Sequence, residues 1–258
     1  MDIQIVDYPI LLAFWLCFAR WAALLVHLPI FDQMSIPLMV KVLATILLTY
    51  AFFPVTGPEV LKDIQYLGVD HFWLLTIYEV IVGLVIGILV KALMDLYVAA
   101  GTIISLQVGL GAINYYDPSA QMQVGAFEKI IQYTVLVMLL STGVLAVMFQ
   151  GGVDSFIHLH VNDFSRLAAT PAYFLDLFKF IFLSALMLAS PLIFINLLMN
   201  CLLGIISRTV PQMNIIMAAF VINIGAGLIV FIATSDEFFQ VAYQLYVEKL
   251  GNWIHFVS

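Results

Sequence analysis

Two ionisable residues, Arg20 and Glu79, stand deep inside apolar runs. A charge at membrane depth is costly, so it must face a partner or a wet cavity. Two chemistries fit. Glu79 could relay protons or act as a substrate counter-ion, or the two side chains could serve as structural partners, with each other or with a neighbouring subunit. A relay ordinarily shows a chain of acids, and only Asp95 stands near Glu79 in sequence. The structural pair is the expectation. A second group, His158 and His160 with Asp154 and Asp163, contains metal-ligating residue types. Asp154 and His158 are four apart, but the spacing matches no zinc pattern, and a loop with exposed histidines is expected. His27, His71 and His255 each stand alone beside apolar segments, which suits an interfacial place. No GxSxG, HExxH, P-loop or dinucleotide motif occurs. Neither catalysis nor a cofactor nor a metal is therefore expected.

The elements that hold these residues must be membrane-embedded. Of 258 residues, 64% are hydrophobic and 10% charged, where a soluble domain runs at about 45–50% and about 25%. The apolar runs extend from end to end and leave no room for a sizeable soluble domain. The net charge of −7 is spread thinly, and no basic cluster suggests nucleic acid. Cys17 and Cys201 both lie in apolar runs and are expected to be buried free thiols. Asp2 and Asp7 make the first residues acidic, unlike the basic start of a cleaved signal peptide, so the first apolar segment is expected to be retained.

A span needs about 20 apolar residues. The candidates are roughly 8–31, 38–56, 71–90, 96–112, 130–150, 174–206 and 211–234, separated by polar loops at 57–70, 113–129 and 151–173 and followed by a polar tail. Asp7 before Pro9, Thr170 before Pro171 and, more loosely, Ser35 before Pro37 read as helix starts. Asp70 can cap the helix that carries Trp73. Lys91 and Asp95 can pair on one helical face, so 71–112 is open to three readings: one long helix, two spans, or a broken one. Pro191 predicts a kink in 174–206. If all seven candidates cross, one side collects Lys41, Lys91, Arg166, Lys179 and Lys249 and the other Lys62, Lys129 and Arg208, too even a split to fix orientation.

The run 101–111 closes on Gln107, Gly109 and Gly111 and leads into Asn114, Tyr115, Tyr116, Asp117 and Pro118. Glycines and an uncharged amide in such a chain mean close backbone approach, and the polar residues that follow must leave the helix. A break at membrane depth is tolerated only where protein or a water-filled path surrounds it. A conduit or its stopper is expected here, with an ordinary re-entrant turn as the alternative. Gly83 and Gly87 form a GxxxG, and Gly101, Ser105 and Gly109 continue the four-residue spacing. This ridge predicts tight helix packing without naming the neighbour.

Four fragments, in order and at fitting separations, resemble the FliR/SctT family of type III export-gate subunits. Arg20, Pro29 to Phe31, Ile36, Pro37 and Lys41 are similar to its opening Arg…Pro…Val-Pro…Arg pattern. Glu79, Gly83 and Gly87 resemble its Glu-x-x-x-Gly-x-x-x-Gly element. Gln107 and Gly109, then Asp117, Pro118 and Gln121, resemble its Gln-x-Gly…Asp-Pro…Gln loop. Arg208, Pro211, Gln212 and Asn214 resemble its Arg-x-x-Pro-Gln-x-Asn signature. After Asn214 the chain departs from the family's Gly-x-Pro: Gly225 is the first later glycine and no proline follows. A second resemblance, from Ala189 and Pro191 through Gly204 to Asn214, is to FliQ.

The resemblance implies an all-α integral membrane protein, a FliP-like helical region (1–172) followed by a FliQ-like helical hairpin and tail (173–258). It implies a non-enzymatic subunit of the flagellar protein-conducting channel in the bacterial inner membrane, at the flagellar basal body. The partners implied are FliP, FliQ, FlhB and FlhA, with unfolded protein as cargo. Leu106, Gln107, Gly109, Leu110, Gly111, Asn114, Tyr115, Tyr116, Asp117 and Pro118 would belong to a plug near 106–121. Arg20, Glu79, Gly83, Gly87, Arg208, Pro211, Gln212 and Asn214 would serve assembly and packing. An injectisome subunit of the same family and, from another class, an ion-coupled transporter using Glu79 are the rival readings, although the internal repeats usual in such transporters are not evident.

Overall fold

The computed structural model describes residues 8–33, 36–110, 125–162, 164–209 and 215–257. Regular structure among them is entirely helical. In chain order the helices are α1 (Tyr8–Leu25), α2 (Pro29–Gln33), α3 (Leu38–Leu67), α4 (Phe72–Val108), α5 (Ala126–Ser141), α6 (Val144–His158), α7 (Phe164–Thr209) and α8 (Ile215–Val257), with a 3-10 turn at Val69–His71. Among the described residues, five stretches are long and apolar enough to cross a membrane: Tyr8–Leu25, Leu38–Leu67, Val69–Val108, Phe174–Thr209 and Ala219–Gly251. The bent pair α5 and α6 makes a sixth if it is one span.

Several elements outrun the apolar runs that announced them. The expected spans 71–90 and 96–112 are one helix of 37 residues, about 56 Å long. Lys91 does not break it, because its ammonium group finds Asp32 Oδ1 at 3.0 Å. The expected loop 57–70 is largely helix, since α3 runs through Pro54 and Pro58 to Leu67. The hydroxyls of Thr45, Thr49 and Thr56 donate to carbonyls four residues back, at 2.8, 2.8 and 3.2 Å, which satisfies them inside an apolar helix. The expected span 130–150 is instead two helices that meet at 75°. Gly143 makes that corner at φ +76°, a conformation glycine takes without steric cost.

The last two helices are longer again. α7 begins at Phe164, ahead of Thr170 and Pro171, and continues through Pro191 for 46 residues. α8 continues for 43 residues where a polar tail was expected after 234. Buried Phe238, Ala242, Tyr246 and Leu250 explain it. They recur every four residues and form one apolar stripe beneath Asp236 and Glu237. Cys17 is buried, but Cys201 is exposed, contrary to expectation.

The chain groups into two compact units. The first comprises 1–92, 140–177 and 248–258, the second 93–139 and 178–247. In the first, Trp21 lies fully buried at the heart of the packing. Its ring stacks on Phe52, with centroids 5.4 Å apart, and tilts against Phe149 and Phe156. Gly152 makes room for it, because an added Cβ would come within 2.8 Å of the indole. In the second unit, Tyr97 stacks on Tyr246 and donates to the Ala242 carbonyl at 2.8 Å. Large apolar side chains remain exposed on α3 (Met39, Leu47, Tyr50), α7 (Phe182, Phe194, Leu197) and α8 (Val221, Ile232). Such area far exceeds what a soluble monomer shows to water and suits lipid or protein neighbours.

Candidate functional site

Arg20 and Glu79 are both completely buried, and the first unit brings them together. Arg20 Nε donates to Glu79 Oε2 at 2.5 Å. The guanidinium spends its remaining donors on α6 and its end: Nη1 on the Ser155 carbonyl at 2.7 Å and on Ser155 Oγ at 3.4 Å, Nη2 on the Leu159 carbonyl at 3.3 Å. Its carbon centre also lies 4.1 Å above the Phe156 ring, a cation–π contact. Ser155 Oγ in turn donates to the Gly152 carbonyl at 2.6 Å. Arg20 thus ties α1 to α4 and to the C-terminal turn of α6 through a planar fork, which a lysine could not reproduce. Glu79 has less support, since its Oε1 has no hydrogen-bond partner among the described residues.

The GxxxG ridge has a neighbour within the chain. A Cβ added at Gly83 would collide with the Arg20 carbonyl oxygen and come within 2.9 Å of Ala23 Cβ. One added at Gly87 would come within 2.9 Å of His27 Cβ and 3.1 Å of the Leu24 carbonyl. α1 and α4 therefore meet backbone to backbone along the face that carries Glu79. Further along α4, Gly101 lies against Glu128. Glu128 accepts a bond from the Gly125 backbone N–H and so closes the start of α5.

The histidines expected in an exposed loop are both half-buried. His158 Nδ1 bonds its own helix at the Asp154 carbonyl, 3.0 Å away. His160 stands between two acids of α3, 3.3 Å from the Asp63 carboxylate and 3.6 Å from Glu59 Oε2. No group that could hold a metal ion is present among the described residues. His27 and His71 bond carbonyls one turn back, each at 2.9 Å.

Of the expected plug residues, Leu106, Gln107, Gly109 and Leu110 lie within the described residues; Gly111, Asn114, Tyr115, Tyr116, Asp117 and Pro118 lie outside them. The helix ends where the sequence demands it. Gly109 has φ +89°, and its N–H bonds the Leu106 carbonyl at 3.1 Å. Gln107 Oε1 accepts a hydrogen bond from Asn196 Nδ2 of α7. Asn196 Oδ1 accepts from Asn200 Nδ2 at 3.0 Å, and Asn200 Oδ1 accepts from Asn223 Nδ2 of α8 at 3.3 Å. Arg208 is exposed in the last turn of α7, while Pro211, Gln212 and Asn214 fall outside the described residues.

Sequence reasoning did not single out Ser155, Asp63, Asn196, Asn200 or Asn223. For Ser155 and Asp63 no local signal exists, because their partners are 135 and 97 residues away. The asparagines did carry one. Asn196 and Asn200 are four apart in an otherwise apolar helix, which puts two amides on one face.

Residues 11–248 match the family described as bacterial export proteins, family 1. The flagellar biosynthetic protein FliR of Bacillus subtilis is 27% identical over 253 residues, which are 95% of this chain and 96% of that protein. The protein of the same name from Aquifex aeolicus is 26% identical over 223 residues, with 85% and 84% covered. That from Escherichia coli is 28% identical over 214 residues, with 81% and 78% covered. The match begins within α1, ends within α8, and takes in the buried ion pair, the glycine seam and the broken end of α4, so this chain belongs to the bacterial export proteins, family 1.

Proposed function

We propose that this chain is a non-enzymatic subunit of the flagellar type III export gate, and that residues 106–121 plug the conduit. Unfolded flagellar proteins are the cargo, and FliP and FliQ are the subunits that complete the channel, with FlhB and FlhA beyond them. The gate sits in the bacterial inner membrane at the flagellar basal body. Residues 1–172 form the FliP-like region and 173–258 the FliQ-like hairpin, to which α8 and most of α7 belong.

Family membership across 11–248 is the observation that carries this reading. The end of α4 supports the plug reading: a long apolar helix stops at a positive-φ glycine, and the sequence continues into a polar, tyrosine-bearing segment. The exposed apolar faces of α3, α7 and α8 are compatible with the gate reading, since neighbouring subunits or lipid would cover them. Purification in mild detergent from cells that make the flagellar export proteins tests the reading. The tagged chain should bring down FliP and FliQ. A lone monomer or a symmetric dimer would contradict it and favour an ion-coupled transporter.

A further inference from the structure

The end of α4 is held from two sides within the second unit. On one side Gly227 lets Val108 approach so closely that an added Cβ would come within 3.2 Å of Val108 Cβ. On the other side stands the amide ladder, in which Gln107 is bonded to Asn196, Asn196 to Asn200 and Asn200 to Asn223. The gap lined by Gln107, Val108, Leu192, Asn196, Met199 and Asn223 has no room for a water molecule. Two residues after Gln107 the helix ends at Gly109.

Four amides are an odd choice for such a place. Leucine at Asn196 would pack at least as well among Leu192, Ile195 and Met199. The Gln107–Asn196 bond is half-buried and the bonds through Asn200 are exposed, while the buried Asn223 Oδ1 has no partner among the described residues. What amides supply that leucine does not is direction, because only one register of α4 against α7 and α8 completes the ladder. Each bond is also modest in net strength, since water can replace it once water enters. The half-buried Gln107–Asn196 bond, beside a gap that excludes water, holds one position firmly and lets go once that gap is wetted.

We infer that Gln107, Asn196, Asn200 and Asn223 form a latch that fixes residues 106–110 in the closed position of the conduit. The inference rests on the plug reading given above. The four are positioning residues: they set where the end of α4 lies, and opening at this end requires the Gln107–Asn196 bond to break.

The test replaces the cell's own copy of the gene with variants and measures propidium uptake, alongside the amount of the chain in membranes and its co-purification with the gate. Asn196→Leu and Gln107→Leu should each raise uptake about tenfold, as loss of roughly one net hydrogen bond does to a closed–open equilibrium. Assembly should be unchanged. The double variant should leak no more than either single one, because both cut the same link. The exchange Gln107→Asn with Asn196→Gln, which preserves the summed length of the two amides, should restore tightness. If Asn196→Leu lowers the amount of protein, Gln107→Met carries the same expectation. Tight membranes with an assembled single variant, multiplied leaks in the double variant, or a leaking exchange variant would each overturn the latch. Deletion of residues 110–115 separates the two claims. If it leaks while the assembled single variants stay tight, the latch fails and the plug stands; if it too stays tight, both fall.

Discussion

Gly83 of α4 lies against the backbone carbonyl of Arg20 on α1, one turn beyond the glutamate that holds the Arg20 side chain. The buried ion pair and the close helix approach are therefore one seam. Without a side chain at Gly83 the two backbones come near enough for a 2.5 Å bond between Arg20 and Glu79. Without that pair, two charges would stand unmatched in an apolar seam.

Leucine at Gly83 or Gly87 has nowhere to go, because the nearest obstacles are the backbone of α1 and the Cβ atoms of Ala23 and His27. Overpacking of this kind costs about 1–3 kcal/mol. Both variants should still insert into membranes but lose co-purification with the gate. Normal assembly of Gly87→Leu would mean that α1 and α4 do not meet along this face.

The two halves of the ion pair are not equivalent. Arg20→Ala leaves the Glu79 carboxylate buried and alone, a change that costs about 3–5 kcal/mol. Glu79→Gln keeps a hydrogen-bonding oxygen, and Arg20 retains Ser155, Leu159 and the Phe156 ring. Swimming in soft agar should be abolished by the first and largely kept by the second. A Glu79→Gln gate that assembles fully yet does not export would show that Glu79 moves protons.

At Gly109 the backbone is the constraint. A methyl group there would have Ile224 at 3.8 Å and Phe220 at 3.9 Å as its nearest described neighbours, ordinary contacts, but at φ +89°. An L-residue in that region loses about 1–2 kcal/mol. Gly109→Val should therefore weaken closure more than Gly109→Asn, since asparagine tolerates this conformation best. Equal ion leak in the two variants would place the effect elsewhere.

Arg208 is exposed at the end of α7, just before the segment 210–214 that joins α7 to α8. A cation at a helix C-terminus suits the local dipole, yet it needs water, a headgroup or another subunit when the neighbouring helices are this apolar. Arg208→Ala should insert normally and export poorly, and Met213→Cys should cross-link to FlhB or FliQ. Normal swimming by Arg208→Ala, together with free labelling of Met213→Cys by a bulky water-soluble reagent, would reduce the tip to a solvated turn.

What the sequence made legible follows from how far each signal reaches. Unbroken apolar runs announced the spans, and Gln107 with Gly109 announced where α4 stops. Arg20 and Glu79 announced that each needs a partner, because the cost of a lone buried charge is a local fact. Their meeting required α1 and α4 to pack, which is not local. Charge does not end these helices. Asp236 and Glu237 interrupt an apolar run but not the four-residue stripe of Phe238, Ala242, Tyr246 and Leu250. The corner at Gly143 carries a short signal, Ser141 and Thr142 ahead of the glycine between two apolar runs, but the positive φ that turns the chain there is visible only in the structure.

The central claim is that this chain carries the stopper of a protein-conducting channel. Deleting residues 110–115, expressing the variant with the other gate subunits and recording ion conductance across the membrane tests it most directly. The account predicts a complex that assembles in normal amount and conducts small ions in the absence of cargo. A deletion complex that assembles and remains as tight as the unaltered gate would contradict it.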